Sequence, residues 1–199
     1  MRGLLCCFWL LPTVAFAGHG LVSAFSDPSA LPEPTAMPDQ LAYALEQARE
    51  DLRLITTADP SARYALGHEL AHEKIAEMFA MVEMEKAGSA ALSIRAYERF
   101  LNIAFSALGE MAEDFQAATA EHFFNTLLEH QYVISIYYID FPIAARQNLR
   151  KAIEIAENSK ARLLPRLSAT FRESLFFKED QVRWSLEMSE RADEQGLGP

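Results

Sequence analysis

Apolar residues recur every three or four positions along most of the chain, and this spacing constrains the fold more than any other feature. The first clear run is Leu41, Leu45, Ala48, Leu52 and Ile55. Such a stripe is typical of an amphipathic helix that turns one face towards a core. No stretch alternates in the manner of a half-buried strand, and no Asn-Gly or Asp-Gly pair marks a hairpin turn. The sequence therefore predicts an all-α fold.

Helix-breaking residues divide this pattern. Asp59 and Pro60 have the residue types of an N-cap and a first helical position. We expect Gly88 to cap the end of the second helix. Pro142 separates the fourth helix from the fifth, and Pro165 closes the fifth. Short loops between long helices favour antiparallel neighbours, so we expect a helical bundle of about five to seven antiparallel helices after a signal peptide.

The first 17 residues have the composition of a secretory signal peptide. Arg2 provides the positive start, an apolar run follows, and Ala15-Phe16-Ala17 resembles a cleavage site. We expect cleavage before Gly18 and a periplasmic or secreted protein. The alternative is an uncleaved anchor, because residues 21–25 extend the apolar run. Both cysteines, Cys6 and Cys7, lie in this segment, so the mature chain is predicted to contain no disulfide.

The rest of the chain is predicted to contain three regions. Residues 18–37 read as a Pro-rich linker, because Pro28, Pro32 and Pro34 favour extended backbone. Residues 38–164 form the helical domain. Residues 165–199 form a C-terminal helical extension whose polar end, from Glu187, is expected to fray.

Composition excludes several classes of protein. The net charge of −10 argues against a nucleic-acid binder, which needs a basic face. A hydrophobic content of 50% is too high for a disordered chain. After the signal peptide, the most apolar stretch, residues 132–139, is too short to span a membrane.

Several stretches of the helical pattern are similar to a known family. They are Tyr43 to Glu50, Asp59 to Arg63, Glu69 to Glu77, Glu121-His122 with Leu127 and Leu128, Phe141 to Arg146, and Lys151 to Glu154. Through them the chain resembles the bacterial exported helical domain-of-unknown-function family 5667, over roughly residues 40–165. The resemblance implies an exported all-helical domain, and it supplies no catalytic residue.

His68-Glu69-Leu70-Ala71-His72 matches the H-E-x-x-H motif of zinc peptidases. Two histidines four apart project from one helical face and can share Zn²⁺, while the glutamate can polarise a metal-bound water. No third ligand has suitable spacing, however, and no strand edge is predicted that could align a substrate. His68 and His72 lie on the flank of the predicted helix, which favours two solvated histidines. Metal binding at His68 and His72 stays open as the alternative.

Three methionines offer a second possible metal site. Met78, Met81 and Met84 follow one another at intervals of three, and thioethers bind copper(I) in exported proteins. Met78 falls on the predicted core stripe, where methionine usually fills space. We therefore expect packing rather than copper binding.

These observations favour a non-enzymatic exported helical protein that acts as a protein-interaction or structural module, without a cofactor. Its protein partner and oligomeric state are unknown. The alternative is a zinc- or copper-binding exported protein, or a zinc metallopeptidase, that uses His68, Glu69 and His72. Exposed aromatic residues at Tyr137-Tyr138, Phe176-Phe177 or Trp184 would indicate a partner surface.

Overall fold

A computed structural model describes residues 31, 32, 34 and 36–196, and helices dominate this part of the chain. Its seven α-helices, with two single 3₁₀ turns after α4 and α5, have the bounds α1 Tyr43–Thr56, α2 Pro60–Glu83, α3 Ala87–Glu110, α4 Glu113–Tyr137, α5 Ile143–Leu163, α6 Ala169–Ser174 and α7 Phe176–Glu194. The described residues contain no strand. The predicted all-α helical bundle is therefore confirmed. The predicted signal peptide and most of the linker lie outside the described residues.

Local chemistry sets the boundaries of α2. The Asp59 carboxylate accepts a hydrogen bond from the Ala62 amide at 2.7 Å, and Pro60 is the first residue of α2, as predicted. The prediction for Gly88 is wrong, because this glycine lies inside α3. The end of α2 is formed instead by Glu85, whose φ of 57° allows the Lys86 amide to reach the Met81 carbonyl at 2.8 Å.

The antiparallel pair α2 and α3 forms the centre of the core. The two backbones approach closely at Gly67, where an added Cβ would lie 3.1 Å from the Ala104 nitrogen. Tyr97 and Phe100 of α3 are fully buried, and the Tyr97 hydroxyl reaches His130 of α4. Helix α5 packs on both α3 and α4, and α7 packs on α4. The core thus holds α2 and α4 in one fixed arrangement.

Helix α1 is oriented opposite to the prediction. Its buried residues are Tyr43, Glu50 and Leu54. The predicted inward stripe faces solvent, with exposed fractions of 99% at Leu41 and 83% at Ile55.

A buried polar cluster explains this orientation. Lys74 on α2 is fully buried and donates hydrogen bonds of 2.6 Å to both Glu50 and Glu77. The Tyr43 hydroxyl donates to Glu77 at 3.1 Å. A buried ammonium group needs paired acceptors, so α1 turns Glu50 inwards and leaves Leu45 and Leu52 outside.

The C-terminal segment is helical almost to its end. Helix α7 continues through Glu194, while residues 197–199 lie outside the described residues, and fraying from Glu187 stays a prediction. The Asp193 carboxylate accepts hydrogen bonds of 2.6 Å from Arg146 and from the Tyr138 hydroxyl, and it also pairs with Arg150. These bonds fix the last turn of α7 to α5.

The described end of the predicted linker also packs on the domain. Ala36 is buried, and Leu31 and Met37 contact the hydrophobic core. No helix in the described part of the chain is both long enough and apolar enough to cross a membrane.

Candidate functional site

All four histidines of the described chain lie between α2 and α4. Three contacts join them to their neighbours at regular intervals: Tyr64 with His122 at 3.4 Å, His68 with Thr126 at 2.8 Å, and His72 with His130 at 2.9 Å. We call these six residues the histidine ladder. Each contact joins a residue of α2 to the residue 58 positions later. Because this offset is constant, the two helices run parallel and in register.

The ladder follows directly from helical geometry. Residues four apart project from nearly the same side of a helix. Tyr64, His68 and His72 have this spacing on α2, and His122, Thr126 and His130 have it on α4. The core keeps the two polar rows facing each other.

The inner end of the ladder continues into the core through Tyr97. The Tyr97 hydroxyl lies 3.0 Å from Nδ1 of His130, and both side chains are buried. His130 is the hydrogen-bond partner that the described residues give this hydroxyl, so we assign Tyr97 as the donor and His130 Nδ1 as the acceptor. His130 then carries its proton on Nε2 and donates it to Nδ1 of His72. The structure thus holds both histidines as neutral, oriented rings.

Burial keeps these imidazoles uncharged. It lowers the pKa of His130 well below its usual range, with a further contribution from His72 and His68. It also lowers the pKa of His68 to about 4, and the neighbouring His122 and His72 add to this effect. At neutral pH His68 is therefore an imidazole with a lone pair available to a ligand.

On its solvent side, the ladder lines a cleft of about 540 Å³. Three glutamates, Glu69, Glu73 and Glu129, line it together with His68, His72 and His122. The three carboxylates make a cleft that favours cations over anions.

The candidate residues of the H-E-x-x-H motif therefore lie in a cleft rather than on an open helix flank. His68 and His72 are half-buried and bonded across to α4, and Glu69 is exposed. Within the described residues, no group of three or more His, Cys, Asp or Glu side chains is arranged to hold a metal ion. Metal binding by His68 and His72 stays a prediction.

Sequence reasoning missed His130 and gave His122 no role. Each has a signal in retrospect, because His122, Thr126 and His130 repeat the four-residue spacing of α2. That signal has meaning only once α2 and α4 are known to be neighbours.

The structure does not assemble the three methionines as a site. Met78 and Met81 are fully buried in the core, whereas Met84 is half exposed beyond the end of α2. Packing, the expected role, accounts for the first two.

Among the residues that the structure describes, two groups of exposed apolar side chains bear on the sequence predictions. One is the α1 stripe, which consists of Leu41, Leu45, Ala48, Leu52 and Ile55. The other includes aromatic residues singled out from the sequence, namely Phe176, Phe177 and Trp184, with exposed fractions of 54–74%. Tyr137 is also partly exposed, but Tyr138 is buried under Asp193 and Arg146.

Comparison with known proteins gives one family match. The family model described as Domain of unknown function (DUF5667) matches residues 35–163, which include α1 to α5 and the whole histidine ladder. No curated protein and no solved structure matches the chain. The matched segment is well over half of the sequence, and the predicted resemblance is confirmed. The chain belongs to the family described as Domain of unknown function (DUF5667).

Proposed function

We propose that this chain is an exported, non-enzymatic interaction module that binds a helix of a partner protein along the α1 stripe. The observation that carries the proposal is the orientation of α1, which buries a polar face and exposes its apolar one. Leu41, Leu45, Leu52 and Ile55 are each at least 62% exposed. Their combined apolar surface is on the order of 500 Å², as large as the patches that mark interaction sites on monomers.

The spacing of the stripe favours a helical partner. Within α1, steps of three, four and three place Leu45 and Leu52 at a positions of a heptad repeat and Ala48 and Ile55 at d positions, while Leu41 lies in the turn before the helix. Such a seam packs best against another helix with the same repeat.

Charge selects among possible partner helices. Arg49 lies beside the seam with its side chain 70% exposed, and Arg53 is exposed on the same side. The chain as a whole carries a net charge of −10. A partner helix with acidic residues next to its apolar seam would pair with these arginines, whereas two copies of α1 packed antiparallel would bring Arg49 against Arg49.

The proposed compartment is the periplasm or the medium, and it rests on the signal-peptide pattern of residues 1–17. The proposal that the chain is not an enzyme rests on the engagement of His68 and His72 with Thr126 and His130. A peptidase would need both histidines on one metal ion beside a third ligand.

Site-directed photocrosslinking in the cell that produces the protein tests this function. A photoreactive phenylalanine analogue replaces Leu52 in the stripe or, as a matched control, the exposed Phe115 on α4. We expect a discrete protein adduct at position 52 only, and its loss when Leu45→Glu is added. The crosslinked peptide should belong to an acidic helix with a heptad seam. Adducts only to a second copy of the chain, adducts only to lipid, or equal adducts at both positions would contradict the proposal.

A second candidate function, the binding of a metal ion, is favoured by a different observation. The imidazoles of the ladder lie in pairs beside carboxylates, and this surface does not overlap the α1 stripe.

A further inference from the structure

We propose that His68 and His122 together bind a divalent transition-metal ion at the mouth of the cleft between α2 and α4. Their ring centres lie 5.0 Å apart, and the ring planes are tilted by 52°. Two imidazoles that share one ion through bonds of about 2.0–2.1 Å have ring centres about 4.5–5 Å apart. This separation allows shared coordination of one ion. Since Nε2 of His68 contacts Thr126 and Nδ1 of His122 contacts Tyr64, the other nitrogen of each ring is the one assigned to the metal.

Both rings can be reached from the cleft. His68 is half-buried and lines the cleft wall. His122 is exposed at the rim of the cleft, where an ion can reach it from solvent.

The surrounding charges attract a cation. Glu69, Glu73 and Glu129 line the same cleft. We assign them an electrostatic role, and water completes the coordination, since the described residues do not place a third side chain for direct ligation.

The other histidine pair is built differently. The rings of His72 and His130 are nearly coplanar, with an angle of 23° between them, and their nitrogens face each other at 2.9 Å. The proton on Nε2 of His130 lies in that contact. The Tyr97 hydroxyl, which is bonded to Nδ1 of His130, fixes the orientation of the ring. This pair therefore holds side chains in place at the inner wall of the cleft, and we do not assign it as a pair of metal ligands.

The donor set selects the class of metal. Imidazole nitrogens suit Zn²⁺, Cu²⁺ and Ni²⁺, whereas Mg²⁺ and Ca²⁺ prefer oxygen ligands. Two imidazoles with water as the remaining ligand favour reversible binding with a dissociation constant in the micromolar range. That property fits sensing or buffering better than a structural metal.

Calorimetry with zinc chloride on the full chain tests the site. All variants carry His19→Ala, so that the four described histidines alone report imidazole binding. We expect one zinc ion per chain, and at least tenfold weaker binding in His122→Ala and in His68→Ala. The control Glu113→Gln, an exposed change on the same helix as His122, should bind like the parent. Magnesium chloride should give no heat of binding.

Nuclear magnetic resonance of the imidazole nitrogens provides a readout that does not depend on variants. Zinc should shift the ring signals of His68 and His122 and leave those of His130 in place. Absence of zinc binding, binding that survives the double variant His68→Ala/His122→Ala, or shifts confined to His72 and His130 would each overturn the proposal. Circular dichroism of His122→Ala checks folding, and the exposure of this residue predicts no change. The zinc experiments do not involve the α1 stripe, so their result does not depend on whether the stripe binds a partner helix.

Discussion

Lys74 donates a 2.6 Å hydrogen bond to Glu50 across the contact between α2 and α1, and both side chains are at least 99% buried. Burial raises the pKa of Glu50, and the bond to Lys74 opposes this effect. Burial alone would lower the pKa of Lys74, but the pKa is raised because Glu50 and Glu77 both accept hydrogen bonds from its ammonium group. This contact decides which face of α1 meets the core and which remains open.

Replacing Lys74 should therefore release α1. Lys74→Met leaves Glu50 and Glu77 as buried carboxylates without their cation, and we expect a loss of about 3–5 kcal/mol in the free energy of unfolding. Urea denaturation measures this loss. Lys151→Met is the matched control, because Lys151 pairs with Glu154 on the exposed face of α5, where such pairs contribute little. Equal stability of the two variants would contradict the role of Lys74.

Acid should weaken the contact between α2 and α4. In the unfolded chain His68 takes up a proton near pH 6.5, but in the folded chain it does so only near pH 4. Between these values the unfolded state binds more protons, so stability decreases as the pH falls from 6.5 to 4. The contribution of His68 is about 3 kcal/mol. Denaturation of the parent and of His68→Gln at pH 7.5 and pH 4.5 measures it, and the variant should show a smaller decrease. An identical decrease in both would refute the assignment to His68.

The close approach of α2 and α3 makes Gly67 intolerant of a side chain. An added Cβ would meet the Ala104 nitrogen at 3.1 Å and the Phe100 carbonyl at 3.2 Å. Gly67→Ala should therefore reduce the free energy of unfolding by about 1–3 kcal/mol. Gly88→Ala is the matched control, since nothing lies within 4 Å of its added Cβ and alanine favours a helix by about 1 kcal/mol. Thermal unfolding of the two variants should move the melting temperature in opposite directions.

Asp193 should anchor the end of α7. Although burial alone would raise its pKa, hydrogen bonds from Tyr138, Arg146 and Arg150 lower it to about 2. Asp193→Asn should cost about 2–3 kcal/mol at neutral pH, because the buried Arg146 loses its carboxylate. Since the folded pKa is depressed, this stabilisation is present above pH 4 and is lost as the pH falls towards 2.

Hydrogen exchange tests the same anchor locally. Amides in the last turns of α7 should exchange faster in Asp193→Asn, while those of α2 should keep their protection. Asp180→Asn is the control, because Asp180 pairs only with the exposed Arg183 among the described contacts. Unchanged exchange in Asp193→Asn would mean that other contacts hold the helix end.

The helices themselves could be predicted from local signals. The spacing of apolar residues predicted all-helical structure, and Asp59 and Pro60 marked the start of α2 correctly. Local signals failed at the end of α2, where a residue other than glycine takes the uncommon backbone conformation. Glu85 adopts a positive φ at the end of α2, although Gly88 is the better residue for such a cap.

Only half of the candidate site could be predicted from the sequence. The motif identified His68 and His72, which share a helix, but His122 and His130 each lie 58 positions along the chain from the α2 residue that they contact. Their part in the site depends on α2 and α4 lying in parallel, which no local pattern encodes.

The sequence by itself determined the fold class, the start of α2 and the family, because periodicity and capping are properties of neighbouring residues. Only the tertiary structure decided which face of α1 is buried and which histidines meet. The physical reason is the same in both cases. The apolar stripe on α1 predicts an inward face by hydrophobicity alone, but the buried Lys74 needs Glu50 as an acceptor, and α1 can turn only one of these two faces towards the core.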